Sequence, residues 1–314
     1  MTERSHQDAI ATDQLYLRDA YQRTMDAEVV AVDHDRVALD RTVFYATGGG
    51  QPHDTGILAA DGATYSVTDV RKDGPFVWHT LEPRGEEEKA GSVDGPPVPT
   101  VGSAVTGTLD WDRRHALMRT HTMLHVMGGV VWNRWQVPAT GGNMEPLAAR
   151  MDFEFGPLPD GFRDELTDAV NAELAADRPI EVSFLDRSAA DVDPALIRTK
   201  VNLIPTSVTR VRVVDIVGLD RQADGGTHVA STAEVGRFEI TKTESKGKGN
   251  KRLRLADAPA GRCCAGRPDW FIGRGHSRQD CCAGRPDWFI GRGHSCGADL
   301  TGWRGHSPRP LRAT

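Results

Sequence analysis

Two short stretches place nitrogen and oxygen ligands at spacings that suit a metal ion. In HTMLH, His121 and His125 stand four apart, which sets both imidazoles on one face of a helix. In DGGTH, Asp224 and His228 are also four apart, with Gly225 and Gly226 between them. There the glycines let the backbone turn so that both side chains face one point. Each stretch has a plainer reading: a partly buried face of a core helix for the first, a surface turn for the second. Together they offer three nitrogens and one oxygen, a set that suits Zn²⁺ in tetrahedral geometry. Four protein ligands leave no position for water, so catalysis at such a site needs one displaceable ligand, and Asp224 is the candidate. Zinc proteases carry Glu directly after the first His; here that residue is Thr122, which argues against their chemistry.

A third stretch, TVFYATGGGQPHDTG at 42–56, contains Gly48, Gly49 and Gly50 in a row. Three glycines free the backbone for φ > 0 and for close approach to a ligand or to another segment. Neither a phosphate-binding GxxxxGK[ST] nor a GxGxxG occurs. The stretch reads either as a structural loop closing one part of the chain onto the next or as a loop facing a substrate. A fourth stretch, 242–254, carries Lys242, Lys246, Lys248, Lys251, Arg252 and Arg254 against Glu244. Its KGKGNKR reads as a flexible basic loop, either simply solvated or able to contact nucleic-acid phosphates.

These residues need a scaffold, and the chain has two kinds of pattern to supply it. From 27 to 110 short β-rich runs alternate with turns: AEVVAV and RVALD flank DHD, and ILAA and TYSVTDV flank Asp61-Gly62, which predicts two hairpins. FVWHTL and AVTGTL add strands around a Gly/Pro-rich loop at 84–103, so this part is a small barrel or sandwich. From Trp111 the character changes. Residues 112–135 place Leu117, His121, Leu124, Val131 and Trp135 at helical spacing behind Asp112 as N-cap. A second helix is expected over 160–177, with strands at 180–185, 208–217 and about 234–241, making this half α/β or α+β.

The remainder is unlike either part. CCAGRPDWFIGRGHS at 263–277 recurs without change at 281–295, and all five cysteines lie in this stretch. Adjacent cysteines do not match zinc-ribbon spacing, and the Gly, Pro and Arg content with few aliphatic residues predicts a disordered tail over 258–314. That tail holds nine of the 38 basic and four of the 44 acidic residues, so 1–257 carries a net charge of −11. Such a balance argues against coating of nucleic acid along the chain, while leaving room for a local grip on one end. The polar N-terminus and the absence of a long apolar run predict neither signal peptide nor membrane span, and hence a cytoplasmic protein.

The three motifs occur in one order. TVFYATGGGQPHDTG, MRTHTMLHVMGGVV at 118–131 and ADGGTHVASTAEVG at 223–236, followed by TKTESKGKGNKRLRL at 241–255, resemble the freestanding alanyl-tRNA editing proteins (AlaX) and the editing domain of alanyl-tRNA synthetase. The resemblance covers roughly residues 20–256. It implies an α+β fold: an N-terminal β-barrel within 1–110, then a zinc-binding editing domain over 111–257 with helices on a mostly antiparallel sheet. It implies hydrolysis, in trans, of the ester of mischarged tRNA(Ala), mainly Ser-tRNA(Ala) and also Gly-tRNA(Ala). One zinc ion would be held by His121, His125, Asp224 and His228, with Asp224 standing where the family has Cys. Thr42 is the implied partner of the serine hydroxyl, with Gln51 and the Gly48–Gly50 backbone lining the site. Lys246, Lys248, Lys251 and Arg252 are the candidate contacts to the acceptor end of the tRNA, and no membrane or DNA partner is expected. The alternative is a metal-containing RNA-binding module that has lost catalysis; a small-molecule metallohydrolase fits less well, because no Glu stands beside either metal motif.

Overall fold

The computed structural model describes residues 11–84, 98–191, 193, 196, 208–247 and 249–258. The tail beyond residue 258, expected to be disordered, lies outside the described residues, as do Lys248 and most of the 84–103 loop. A short strand β1 (Asp13–Gln14) leads into β2 (Thr24–Asp33), β3 (Arg36–Leu39), β4 (Arg41–Thr42), β5 (Gly56–Ala60), β6 (Ala63–Asp73), β7 (Phe76–Arg84) and β8 (Ala104–Leu109). β1 and β4 pair in parallel, and the other six close an antiparallel barrel in the order β2-β3-β7-β6-β5-β8. Both expected hairpins are present. Asp61 (φ 51°) and Gly62 (φ 82°) join β5 to β6, the positive pair that a two-residue turn of matching twist requires. Alternate inward residues such as Val29, Val37, Leu39, Leu58, Val67 and Val105 fill the barrel together with Phe44.

The second layer begins with α1 (Trp111–Trp135), whose N-cap is Asp110 and not Asp112: its carboxylate accepts from the Arg113 N–H at 3.2 Å. β9 (Ala139–Glu145), β10 (Ala148–Phe153), α2 (Phe162–Ala175), β11 (Ile180–Asp186), the one-turn α3 (Arg187–Asp191), β12 (Arg210–Ile216), β13 (Asp220–Ala223), β14 (Phe238–Ser245) and β15 (Lys251–Asp257) follow. The sheet β14-β15-β10-β9 is antiparallel throughout, as is β11-β12-β13. Leu117, Leu124 and Val131 of α1 pack with Leu166 and Val170 of α2 against Phe153, Leu253 and Leu255 of the four-stranded sheet. The architecture is the expected α+β.

A further expectation changes. The 246–252 stretch is not one flexible loop: Lys251 and Arg252 open strand β15, which pairs with β14, Lys251 opposite Ser245 and Arg252 opposite Glu244. The signal was the alternation Leu253, Leu255 between charged residues, with the leucines buried and Arg254 exposed. The hairpin β9–β10 is an element that the sequence patterns above do not predict; its Gly141-Gly142 and Pro146 are residue types that ordinarily mark turns.

One buried ion pair fastens the two layers. Arg114 on α1 and Asp54 in the glycine-rich stretch are both fully buried, with Nη2–Oδ2 at 2.5 Å. Arg114 also donates to the carbonyls of Ala20 and Val43, and Asp54 accepts from the Tyr45 N–H. Both charges therefore have directed partners, the condition for keeping an ion pair away from water.

Candidate metal centre

His121 and His125 occupy adjacent turns of α1, and the turn after β13 brings Asp224 and His228 opposite them. That turn is shaped locally. Asp224 Oδ2 accepts from the Gly226 N–H at 2.7 Å, the side-chain-to-backbone bond that makes Asp a turn former. From β12, Arg212 donates to the Asp224 and Gly226 carbonyls at 2.9 Å each and to the Leu17 carbonyl at 2.8 Å. The two glycines differ in purpose. A Cβ on Gly225 would meet nothing within 4 Å, whereas one on Gly226 would lie 2.1 Å from His121 Cε1. Gly226 is thus needed for space, because the imidazole packs directly on its backbone.

The four side chains converge. One ligand atom from each lies within 4.8 Å of every other, and the His121 and His228 ring centroids are 4.4 Å apart. Asp224 Oδ2 is 3.0 Å from His228 Nε2, and Oδ1 is 3.7 Å from His121 Nε2 and 4.0 Å from His125 Nε2. The Nδ1 atoms face outward to fixed partners: His121 to Gln51 Oε1 at 3.0 Å, His125 to Asp220 Oδ2 at 3.1 Å and His228 to Thr122 Oγ1 at 3.1 Å. Three inward Nε2 atoms with outward Nδ1 partners form the arrangement seen for histidines that ligate a metal. The donor set and its convergence therefore fit a divalent cation of intermediate softness.

For His121 and His228 the electrostatics favour the same use. Burial pushes His121 well below its ordinary pKa and His228 down to about 4, so both imidazoles are neutral at pH 7 and their lone pairs are available. Burial also disfavours a charge on Asp224, but His121 and His228 outweigh it, and the carboxyl is held well below the usual carboxylate range. For His125 the desolvation is overcome by the hydrogen bond to Asp220 and by the Asp224 charge, so its pKa is raised. Asp224 and His125 retain 17% and 11% of their side-chain exposure, more than His121 and His228, so the cluster opens to solvent on their side.

The other expected site residues separate into groups. Gln51 belongs to this centre: it is 1% exposed, and its amide also bonds the Thr227 side chain and N–H. Gly48 and Gln51 exchange backbone hydrogen bonds in a tight turn, with Gly49 and Gly50 at φ 57° and 85°. Gly50 lies against β9, where its carbonyl accepts from the Met144 N–H at 3.1 Å. Thr42 is buried in the barrel, its hydroxyl 2.8 Å from His79 Nε2 and accepting from the Phe44 N–H. Among the basic residues, Arg252 is forked onto Asp152 with two bonds of 2.7 Å, Lys251 donates to Ser245, and Lys246 is exposed. Asp220, Thr122, Arg212 and Thr227 are the members of the site that sequence reasoning missed. Thr122 lies inside HTMLH, but nothing in the spacing says that its hydroxyl meets a histidine 106 residues away.

Comparison with known proteins agrees with this geometry. Residues 211–254 match the family described as the threonyl and alanyl tRNA synthetase second additional domain, and residues 6–112 match tRNA synthetases class II (A). The chain is 34% identical over 244 residues to the alanyl-tRNA editing protein AlaX-M of Saccharolobus solfataricus, covering 77% of this chain and 97% of that one. It is equally 34% identical over 245 residues to the AlaX-M of Methanosarcina barkeri, with the same coverage. The alanine–tRNA ligase of Pyrobaculum aerophilum is 35% identical over 245 residues, 74% of this chain but 25% of the ligase. Among the described residues no helix is long and apolar enough to cross a membrane.

Proposed function

The chain belongs to the alanyl-tRNA editing protein family, AlaX, and from that premise we propose that it hydrolyses the aminoacyl ester of mischarged tRNA(Ala) in trans, mainly Ser-tRNA(Ala) and also Gly-tRNA(Ala). The observation that carries this reading is the convergence of His121, His125, Asp224 and His228 at a solvent-facing opening, directly under the glycine-rich loop. We take the ion to be zinc, held by these four residues, where it would supply a Lewis acid or lower the pKa of a bound water. The protein's own residues do the rest. Asp224 is the ligand suited to yield its place, being hard, partly exposed and already shared with Gly226 and His228.

Selectivity would come from polar groups that alanine leaves unpaired, which is how a site rejects a substrate lacking one hydroxyl. The backbone at Gly48–Gly50, exposed at Gly49 and half-buried on either side, would line the approach. Thr42 serves as partner of the serine hydroxyl only where its bond to His79 opens, so Thr42→Val is the variant that tests its part. The acceptor end of the tRNA would approach from the side of Lys246 and Lys251, with Arg252 contributing less because Asp152 neutralises it; Lys248, the other candidate, lies outside the described residues. We divide the chain accordingly into a barrel module, 1–110, an editing domain, 111–257, and a tail, and place its work in the cytoplasm, where charged tRNA resides.

The test is deacylation of Ser-tRNA(Ala), Gly-tRNA(Ala) and Ala-tRNA(Ala), side by side, with zinc present. Rapid loss of the seryl ester with a stable alanyl ester is the expected result. Equal loss of all three would sink the claimed selectivity. The second reading, a metal-containing RNA-binding module without catalysis, is favoured by the carboxylate of Asp224 where the family has a thiolate; RNA binding with a stable seryl ester would support it.

A further inference from the structure

We propose that Gln51, on the glycine-rich loop of the barrel, is a positioning residue for the metal centre: its side-chain oxygen holds His121 in the one tautomer whose Nε2 can ligate an ion. The inference rests on the metal-binding part of the proposed function and adds a role for a residue outside the ligand set.

The assignment follows from donors that cannot change roles. The Thr227 backbone N–H points at Gln51 Oε1 from 3.1 Å, and the other end of the amide is 2.9 Å from the Thr227 hydroxyl. A backbone N–H only donates, so the atom facing it is the amide oxygen, and the NH₂ donates to the hydroxyl. That same oxygen lies 3.0 Å from His121 Nδ1, which must therefore carry the proton. A neutral imidazole protonated at Nδ1 has its lone pair at Nε2, and Nε2 is the atom turned toward Asp224, 3.7 Å away. With Gln51 1% exposed, water does not compete for its oxygen.

A second observation supports the pairing independently. A Cβ at Gly226 would lie 2.3 Å from His121 Nδ1 and 2.8 Å from Gln51 Oε1. The chain has kept the space in which this one hydrogen bond lies. The three histidines are also held differently. His125 faces the carboxylate of Asp220, and His228 faces the Thr122 hydroxyl, which either donates or accepts. Of the three Nδ1 partners, Gln51 alone comes from the barrel side. The loop that carries it is fixed by the Gly48–Gln51 turn, by Gly50 on Met144 and by the buried Asp54–Arg114 pair. The barrel thereby sets the affinity of a metal centre whose ligands all lie on the other layer.

The experiment is Zn²⁺ affinity of the full chain, by competition with a chromophoric chelator, alongside the visible spectrum of the Co²⁺-loaded protein. Gln51→Met fills the same space without an acceptor and should bind zinc about 10- to 100-fold more weakly, with an altered Co²⁺ spectrum. Gln51→Glu keeps the acceptor, and the Thr227 hydroxyl can turn to donate to it, so binding should return to the wild-type level or tighten. Val105→Ala, a cavity in the barrel core away from the centre, is the packing control and should leave the affinity near wild type. Wild-type affinity in Gln51→Met would overturn the role, as would equal weakening in all three variants, which is the mark of packing alone. Absence of zinc binding by the unmodified protein would overturn both this role and the metal-binding reading beneath it.

Discussion

Replacing Gly226 by alanine adds one methyl group at the most crowded point of the site. The new Cβ would sit 2.1 Å from His121 Cε1 and 2.3 Å from Nδ1, so the ring must retreat by about 1.4 Å to reach an ordinary carbon–carbon separation of ~3.5 Å. The backbone cannot retreat instead, because the Gly226 carbonyl is held by Arg212 and its N–H by Asp224. Ring movement breaks the bond to Gln51 and withdraws Nε2 from the other three side chains of the cluster. Overpacking of this kind costs about 1–3 kcal/mol of stability, and displacing a ligand's supporting bond lowers metal affinity about 10- to 100-fold. Gly225→Ala is the control, since its Cβ meets nothing within 4 Å. Chelator competition for Zn²⁺ and a thermal melt of each variant read the two effects. Wild-type zinc affinity in Gly226→Ala, or equal losses in the two variants, would refute the steric argument.

Asp54→Asn leaves Arg114 buried beside a neutral partner and should destabilise the chain by about 3–5 kcal/mol in urea unfolding, while a double replacement by apolar residues should lose less. Burial lowers the His79 pKa from 6.5 to about 4, so the folded state binds fewer protons than the unfolded chain across that window. Its contribution is complete above pH 6.5 and is lost as pH falls toward 4; down to pH 5 that loss is about 2 kcal/mol, so the difference in unfolding free energy between wild type and His79→Gln should change by about that much between pH 7.5 and 5. Asp224→Ala should lose most of its zinc in metal analysis, and a full complement in that variant would remove Asp224 from the ligands. Lys246→Glu should weaken kcat/KM for tRNA and flatten its dependence on salt, leaving zinc content unchanged.

The helix bearing His121 and His125 was legible because its apolar positions repeat at helical spacing from Leu117 to Trp135, and the barrel because Asp61-Gly62 and DHD mark its hairpins. The convergence of the four side chains was legible through two separate i, i+4 patterns and the order of the motifs. What stayed hidden has a common cause. Gln51 meets His121 across 70 residues, Asp220 meets His125 across 95, and Thr122 meets His228 across 106. Such contacts are set by how two layers dock, and no local spacing encodes them. Arg252 misled for a different reason: its charge suggested solvent, while its strand partner Asp152 lies in a hairpin whose glycines and proline hid it.

The central claim is that these residues form a metal-dependent site for removing the wrong amino acid from tRNA(Ala). Its most direct test follows serine release from Ser-tRNA(Ala) by one preparation of the protein as purified, after exhaustive chelation, and after stoichiometric zinc is restored. Hydrolysis that disappears with the metal and returns with it is the predicted result. Hydrolysis unchanged by chelation to a metal-free protein, or absent from the zinc-loaded protein, would contradict the account.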